Sequence, residues 1–123
     1  MNILNLTQHD ATEEQTPFVR DLTGEQKTEL RKLLTFDSLP TDEEMLERAE
    51  KIATIADSNE AAMAMIGGAP FFMSVLEQAL KNKGVVPVYA FSLRRSSDVV
   101  LPDGTVKKTS VFVHIGFKRA FRA

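Results

Sequence analysis

Apolar residues in the first half of the chain predict one strand and two helices. The run over residues 2–6 is short and polar residues follow it at once, which is typical of a buried strand. Residues 10–22 are mostly polar and contain Pro17, so they predict a loop or one irregular turn. Two capping sequences, at Thr23 and Thr41, each precede apolar residues at helical spacing, which are Leu30, Leu33 and Leu34 in the first helix and Met45, Ala49, Ile52 and Ala56 in the second.

The second half predicts a strand, a helix and a long hairpin. Residues 61–66 form a continuous apolar run, the pattern of a strand covered on both faces. Gly67-Gly68-Ala69-Pro70 then leads into a helix that Gly84 ends. Residues 85–93 and 106–117 flank a turn sequence and should pair antiparallel. Alternation in the last strand places Val111, Val113, Ile115 and Phe117 on one face, and Phe112, His114 and Gly116 on the other.

This order of elements predicts the fold class. Strands that are separated by helices form right-handed parallel crossovers, so the first three strands should be parallel and the last antiparallel at an edge. We therefore expect an α/β fold with a small Rossmann-like sheet, mostly parallel with an antiparallel C-terminal edge hairpin. A chain of 123 residues also predicts a single domain over residues 1–123.

Composition narrows the class of protein. Hydrophobic residues make up 43% of the chain and charged residues 26%, which is ordinary for a globular protein. The chain has no cysteine, which excludes disulfides and thiolate metal sites and fits a reducing compartment. No basic segment precedes the first apolar run, and the weakly polar stretch over residues 61–76 is shorter than a membrane span of about 20 residues. We expect a cytoplasmic protein that does not enter a membrane.

Charge is divided between the two halves of the chain. Residues 1–60 contain fourteen acidic and six basic residues, whereas residues 61–123 contain three acidic and nine basic residues. Acidic helices that face solvent would explain this division. A basic site for an anion in the second half would also explain it, because clustered cations concentrate negative ligands. No basic stripe or recognition motif is present, so we do not expect binding to duplex DNA.

Chemically distinctive residues follow three of the predicted strands. In open α/β sheets, ligands bind outside the carboxyl ends of the parallel strands, so these residues should share one rim. With two histidines and no cysteine, we expect no metal and no cofactor. The predicted site residues are Thr7, Gln8 and His9 after the first strand, Gly67, Gly68 and Ala69 after the second, and Ser92 and Arg94 at the end of the third.

Each of these residue types has a plausible chemical role and a plain structural alternative. Gly67 and Gly68 before a helix suit close approach of a phosphate to backbone N–H groups, but the same pair is common in strand-to-helix turns. Because an imidazole generally titrates near neutrality, His9 could act as an acid or base, or it could bond the loop backbone. Arg94 could neutralise a bound anion, whereas the lysines of the hairpin could protect an edge strand from aggregation. Neither a Walker loop nor a GxSxG elbow is present.

Two resemblances extend this interpretation. NLTQHDATEEQ, GGAP, VYAFSLRRS, DGTVKKTSVF and HIGF together resemble a family of small uncharacterised bacterial and phage proteins that begin NLTQHxAT. A more distant resemblance is to small stand-alone CRISPR-associated ring nucleases with a CARF-type, Rossmann-like fold. It rests on Leu6-Thr7-Gln8-His9, on Gly67-Gly68-Ala69-Pro70, and on Ser92 and Arg94.

The second resemblance implies a ligand and a mechanism. Ring nucleases bind cyclic oligoadenylate across a homodimer and linearise it without metal, by attack of a ribose 2′-OH on its own 3′-phosphodiester. It implies that Gly67 and Gly68 hold phosphate, that Arg94 neutralises it and that His9 is the acid or base. Thr7 and Gln8 would position ribose or base. The alternatives are a non-catalytic binder of a phosphorylated ligand, acting as a sensor or sponge, and an interaction protein of a phage or plasmid system.

Overall fold

The five strands form one mixed sheet in the order β2-β1-β3-β4-β5. The pairs β2–β1, β1–β3 and β3–β4 are parallel. The pair β4–β5, at one edge of the sheet, is antiparallel. The predicted fold class is therefore confirmed. The computed structural model describes residues 2–121, whose elements are β1 (Ile3–Asn5), β2 (Val19–Asp21), α1 (Gly24–Leu34), α2 (Asp42–Ser58), β3 (Met63–Met65), α3 (Pro70–Asn82), β4 (Val86–Val100) and β5 (Val106–Arg119).

Strand β2 lies inside the segment that the sequence predicts to be a loop, so that prediction is wrong there. Its three residues pair in register with the three residues of β1, with Val19 beside Ile3. Only Val19 is fully buried, so the segment has no alternation that could reveal a strand. Pairing with β1 at the sheet edge, rather than local propensity, defines this strand.

The three helices cover one face of the sheet. Thr41 caps α2, because its hydroxyl accepts a 3.1 Å hydrogen bond from the backbone N–H of Glu44. Thr23 makes no such bond to α1, so only the second predicted capping sequence forms. None of the described helices combines the length and apolarity that crossing a membrane requires. The buried side chains beneath the helices include Leu4, Leu6, Leu30, Leu33, Ala49, Ile52, Ala64, Ile66, Phe72, Leu76 and Leu80.

A smaller apolar cluster lies on the other face of the sheet. Ile3, Val19, Met65 and Val88 come from four neighbouring strands and are each no more than 6% exposed. Ala11, from the segment between β1 and β2, packs against this cluster. The short central strands are therefore buried on both faces, which explains their continuous apolar runs.

The hairpin of β4 and β5 extends well beyond the rest of the sheet. Strand β4 pairs with β3 only over residues 86–88 but pairs with β5 as far as Val100. The predicted end of this strand near residue 93 is therefore too early. Polar cross-strand pairs continue the ladder between β4 and β5. One example is Ser97 and Thr109, whose hydroxyls lie 2.9 Å apart. We call residues 91–116 the arm.

A β-bulge at the base of the arm changes which side chains share a face. Phe91 pairs with Gly116 and Ser92 pairs with His114, which leaves Ile115 as the extra residue. The rings of His114 and Phe117 therefore lie together, with centroids 4.8 Å apart. The prediction that these two residues face opposite sides is wrong, because strict alternation does not continue through a bulge.

Candidate functional site

A buried amide fixes the loop that follows β1. Asn5 is 4% exposed, and its Nδ2 donates to the His9 carbonyl oxygen at 2.7 Å and to Asp21 Oδ1 at 2.8 Å. Its Oδ1 accepts from the backbone N–H of Thr7 at 2.9 Å and from the Thr7 hydroxyl at 2.7 Å. The amide thus uses both donor hydrogens and accepts two bonds. Asn5 therefore sets the path of the loop and ties it to β2.

The side chains in this loop differ in their availability to a ligand. The hydroxyl of Thr7 is engaged by Asn5, and Gln8 Nε2 donates to the hydroxyl of Thr35 at 3.2 Å. His9 is exposed, and its imidazole makes no hydrogen bond within residues 2–121. Its contacts to the loop are made by backbone atoms, so the side chain is free to meet a ligand. Thr7 and Gln8 hold the loop in place.

The second part of the site is the turn between β3 and α3. Gly68 has φ +148°, a backbone conformation that side chains strongly disfavour. The backbone N–H groups of Gly67, Gly68, Ala69 and Phe71 make no hydrogen bond within the described residues. Such groups at a helix N-terminus carry partial positive charge. The turn therefore presents a set of unpaired donors where α3 begins.

The two loops meet at one cavity of about 470 Å³ at the carboxyl ends of the parallel strands. A Cβ atom added at Gly67 would lie 3.6 Å from Thr7 Cγ2, which shows how closely the loops approach. Six of the eight predicted site residues line this cavity. The full lining is Thr7, Gln8, His9, Asp10, Gln15, Leu34, Met65, Ile66, Gly67, Gly68, Ala69, Tyr89 and Ala90.

The structure does not bring Ser92 and Arg94 to the cavity. Strand β4 passes the rim at Tyr89 and Ala90 and continues into the arm, where both residues are exposed. At about 3.3 Å per residue, Arg94 lies roughly 13 Å farther along the strand than Ala90. Its guanidinium carbon lies 5.8 Å from the ring centroid of Phe112 instead. The expectation that three chain segments share one rim therefore holds for two of them.

Tyr89 is the contribution of β4 to the cavity, and sequence reasoning missed it. Its hydroxyl donates a 2.6 Å hydrogen bond to Glu77 Oε2 of α3. Burial raises the pKa of Tyr89, and the hydrogen bond and negative charge of Glu77 raise it further. The one signal in the sequence was that this chain contains a single tyrosine, placed within an apolar strand.

Asp10 adds an acidic group to the border of the cavity. Its carboxylate pairs with Lys27 and lies 3.8 Å from Arg31 Nη2. The hydrogen bond and charge of Lys27 hold the pKa of Asp10 below its ordinary value. These two cations are therefore engaged by Asp10, and the cavity relies on backbone donors and His9 for positive potential.

Other parts of the described chain offer fewer polar groups for chemistry. Within residues 2–121, no three His, Cys, Asp or Glu side chains are grouped so that they could hold a metal ion. A second cavity of about 460 Å³ lies where α3 and β4 meet residues near the end of the chain. Its charged side chains are Lys81 and Arg119, and the ammonium of Lys81 donates to the Phe121 carbonyl oxygen at 3.1 Å.

Comparison with known proteins identifies the family. The family described as "Uncharacterized protein MJ1673 family" matches residues 1–118. The chain belongs to the MJ1673 family. No curated protein and no solved structure matches it. The match to the MJ1673 family includes both loops of the cavity and the whole arm.

Proposed function

We propose that this MJ1673-family protein binds a phosphorylated nucleotide ligand, a cyclic oligonucleotide or related phosphodiester, in the cavity at the carboxyl ends of β1 and β3. The observation that carries the proposal is the meeting of two features at that cavity. His9, whose imidazole is unpaired within the described residues, lines it on one side, and Gly67, Gly68 and Ala69, whose backbone N–H groups are also unpaired there, line it on the other.

The chemistry of these groups matches a phosphate. Backbone N–H groups at a helix N-terminus donate to phosphate oxygens without any cationic side chain. The glycines leave the backbone open to close approach, and His9 adds a donor and, when protonated, a charge. The volume of about 470 Å³ lies within the range of small-ligand sites. The side chains of Thr7 and Gln8 hydrogen-bond to Asn5 and Thr35, so their role in this proposal is to fix the shape of the loop.

Metal-independent cleavage is a second candidate function. In that reaction a ribose 2′-OH attacks the adjacent phosphorus, and the P–O5′ bond breaks to give a 2′,3′-cyclic phosphate and a 5′-OH. The available imidazole of His9 favours this candidate, because one proton must leave the 2′-OH and one must reach the leaving oxygen. Arg94 of the same protomer lies outside the cavity, so charge on the phosphorane would be met by backbone donors. This position of Arg94 makes binding the better-supported function.

The test is a calorimetric titration with cyclic tri-, tetra- and hexa-adenylate in EDTA, followed by analysis of the ligand. We expect binding of at least one ring, and His9→Ala should weaken it by about threefold to tenfold, the loss of one hydrogen bond or charge contact. Arg94→Ala and Lys107→Ala each remove one positive charge from the arm, outside the cavity. Each should change the affinity by less than about twofold, because salt screens exposed charges at that distance from the ligand.

The outcomes separate the candidate functions. Intact ligand after long incubation assigns a sensor or sponge. Products that end in 2′,3′-cyclic phosphate assign a ring nuclease, provided that His9→Ala is slower than the wild type. Absence of both binding and cleavage for all three rings would overturn the proposal. The homodimer that the resemblance to ring nucleases implies stays a prediction.

A further inference from the structure

The arm exposes large apolar side chains near its base and at its tip. Register pairs place Leu93 beside Val113 and Arg95 beside Val111, and directly opposite residues share a face of the ladder. We call this surface the arm face and define it by Phe91, Leu93, Arg95, Ser97, Val99, Lys107, Thr109, Val111 and Val113. The exposed fractions of its large apolar residues include 52% for Phe91, 42% for Leu93 and 53% for Val111.

An isolated ribbon of this kind is physically unfavourable. Twelve residues of β4 follow Val88, the last residue that pairs with β3, so the ribbon is about 40 Å long. A two-stranded ribbon is marginally stable in water, and large exposed apolar side chains grouped on one surface mark an interaction site. The arm therefore needs a partner that covers its apolar side chains.

The charges of the arm indicate which surface covers it. Strand β5 contains four basic residues and no acidic residue, so pairing β5 with β5 of another copy would bring like charges together. The arm face carries Arg95 and Lys107, whereas Asp98 lies on the opposite face. Helix α2 contains six acidic and two basic residues. A basic arm face and the acidic helix α2 on one chain are complementary between two copies.

We propose that the arm face of one protomer packs on the α2–α3 surface of a second copy, and that the exchange is reciprocal. A groove of about 330 Å³ between these helices is lined by Leu46, Ala49, Val75 and Ala79, with Glu50 at its side. Leu46 is 62% exposed there. The groove thus offers apolar side chains for the arm face and one carboxylate for its cations, that of Glu50, which pairs with Lys83 at 3.1 Å within its own protomer.

The size of the contact fits a stable dimer. The arm contains ten residues of β4, so one face of it is about 33 Å long and two strands wide and covers roughly 300 Å². In a reciprocal exchange each protomer buries its own arm face and its own groove, which gives about 600 Å² per partner, the lower end of the range for specific interfaces. Nucleic acid fits the arm face less well, because its two cations, Arg95 and Lys107, lie among apolar side chains.

Sedimentation equilibrium of the full chain and two variants tests this proposal. Leu93→Asp on the arm face and Leu46→Asp on the groove should each weaken the dimer by more than about tenfold, because each would bury an unpaired carboxylate. Both positions are exposed, so the variants should keep the wild-type circular dichroism spectrum at low temperature. The matched control is Phe112→Asp, which lies on the opposite face of the arm and should leave dimerisation unchanged.

Mixing the two variants distinguishes this arrangement from other dimers. A Leu93→Asp protomer has an intact groove, and a Leu46→Asp protomer has an intact arm, so an equal mixture should form heterodimers through one intact contact. A dimer made by arm against arm would gain nothing from mixing. The proposal is overturned by a wild-type monomer at all concentrations, by no recovery in the mixture, or by a monomer whose arm binds nucleic acid instead.

Discussion

The side-chain amide of Asn5 donates a 2.7 Å hydrogen bond to the main-chain carbonyl of His9. A residue buried in β1 thereby fixes the loop that carries an exposed imidazole to the cavity. Four hydrogen bonds to one amide make this link sensitive to small chemical changes, because each group that loses its partner stays partly buried.

Asn5→Asp should destabilise the protein by about 2–4 kcal/mol at neutral pH. The substitution removes the Nδ2 donor to His9 and places a carboxylate against Asp21, whose Oδ1 lies 2.8 Å from Nδ2 in the native chain. Urea unfolding measures the loss. The control is Asn2→Asp, an exposed amide before β1. Equal stability of the two variants would show that the hydrogen bonds of Asn5 do not hold this loop.

Arg48→Met should destabilise the protein by about 1–3 kcal/mol. The Nη1 of Arg48 donates to the carbonyl oxygen of Thr35 at 2.6 Å and to that of Leu33 at 3.2 Å, at the end of α1. Its guanidinium also lies 4.4 Å from the ring centroid of Phe36.

Arg48→Lys should recover only part of this loss, because an ammonium cannot stack on Phe36 and donate as a planar group does. Thermal unfolding of both variants provides the measurement. The control is Lys51→Met on the same helix, since Lys51 pairs only with Glu47 at the surface. If Arg48→Met and Lys51→Met have the same melting temperature, the hydrogen bonds from Arg48 to the end of α1 do not stabilise the protein.

Tyr89 should ionise at a higher pH than an ordinary phenol. Burial and the hydrogen bond to Glu77 both favour its neutral form. Because the folded-state pKa is raised, the stabilisation is complete below the ordinary pKa near 10 and is lost as pH rises above it. The chain has one tyrosine and no tryptophan, so ultraviolet absorbance follows this residue alone.

Glu77→Gln should lower the pKa of Tyr89 without returning it to the ordinary value, because burial remains. A conservative control is Glu60→Gln, which lies away from the cavity lining. A titration midpoint for the wild type equal to that of free tyrosine would contradict the contact between β4 and α3.

Asp10→Asn should strengthen binding of a phosphorylated ligand by about threefold to tenfold, because a carboxylate at the border repels an anion. Lys27 lowers the pKa of Asp10. The carboxylate therefore stays charged as the pH falls to the ordinary pKa of an aspartate, and its ion pair with Lys27 is lost only at lower pH. Titrations of Asp10→Asn and of the exposed control Asp37→Asn compare the effects. Weaker binding by the Asp10 variant would show that its role in holding Lys27 dominates.

Residues with strong local patterns made most of the fold predictable. Leu30, Ile52 and Leu76 recur at helical spacing, and all three are buried as that spacing requires. The parallel order followed from helices between strands. In contrast, Val19–Asp21 has no local pattern, since its strand depends on hydrogen bonds to β1 that join residues far apart in sequence.

The site was predictable only as far as strand ends could be located. The loops after β1 and β3 follow strands that end within the sheet, so His9 and Gly67 were placed on one rim correctly. Arg94 was misplaced because the polar sequence around Ser96 looks like a strand end, whereas pairing with β5 carries β4 past the rim. Tyr89 and Asp10 gained significance only from their partners Glu77 and Lys27, which no spacing reveals.

The most direct test of the central claim is an NMR titration of the backbone amides and histidine ring with cyclic tetra-adenylate, with the tri- and hexa-adenylate rings as parallel samples. We predict that at least one ring moves the amide signals of Gly67, Gly68, Ala69 and Phe71 and the ring signals of His9, while Lys81 and Arg119 at the second cavity stay fixed. Changes confined to the arm or to the second cavity, or no change with any ring, would contradict the account.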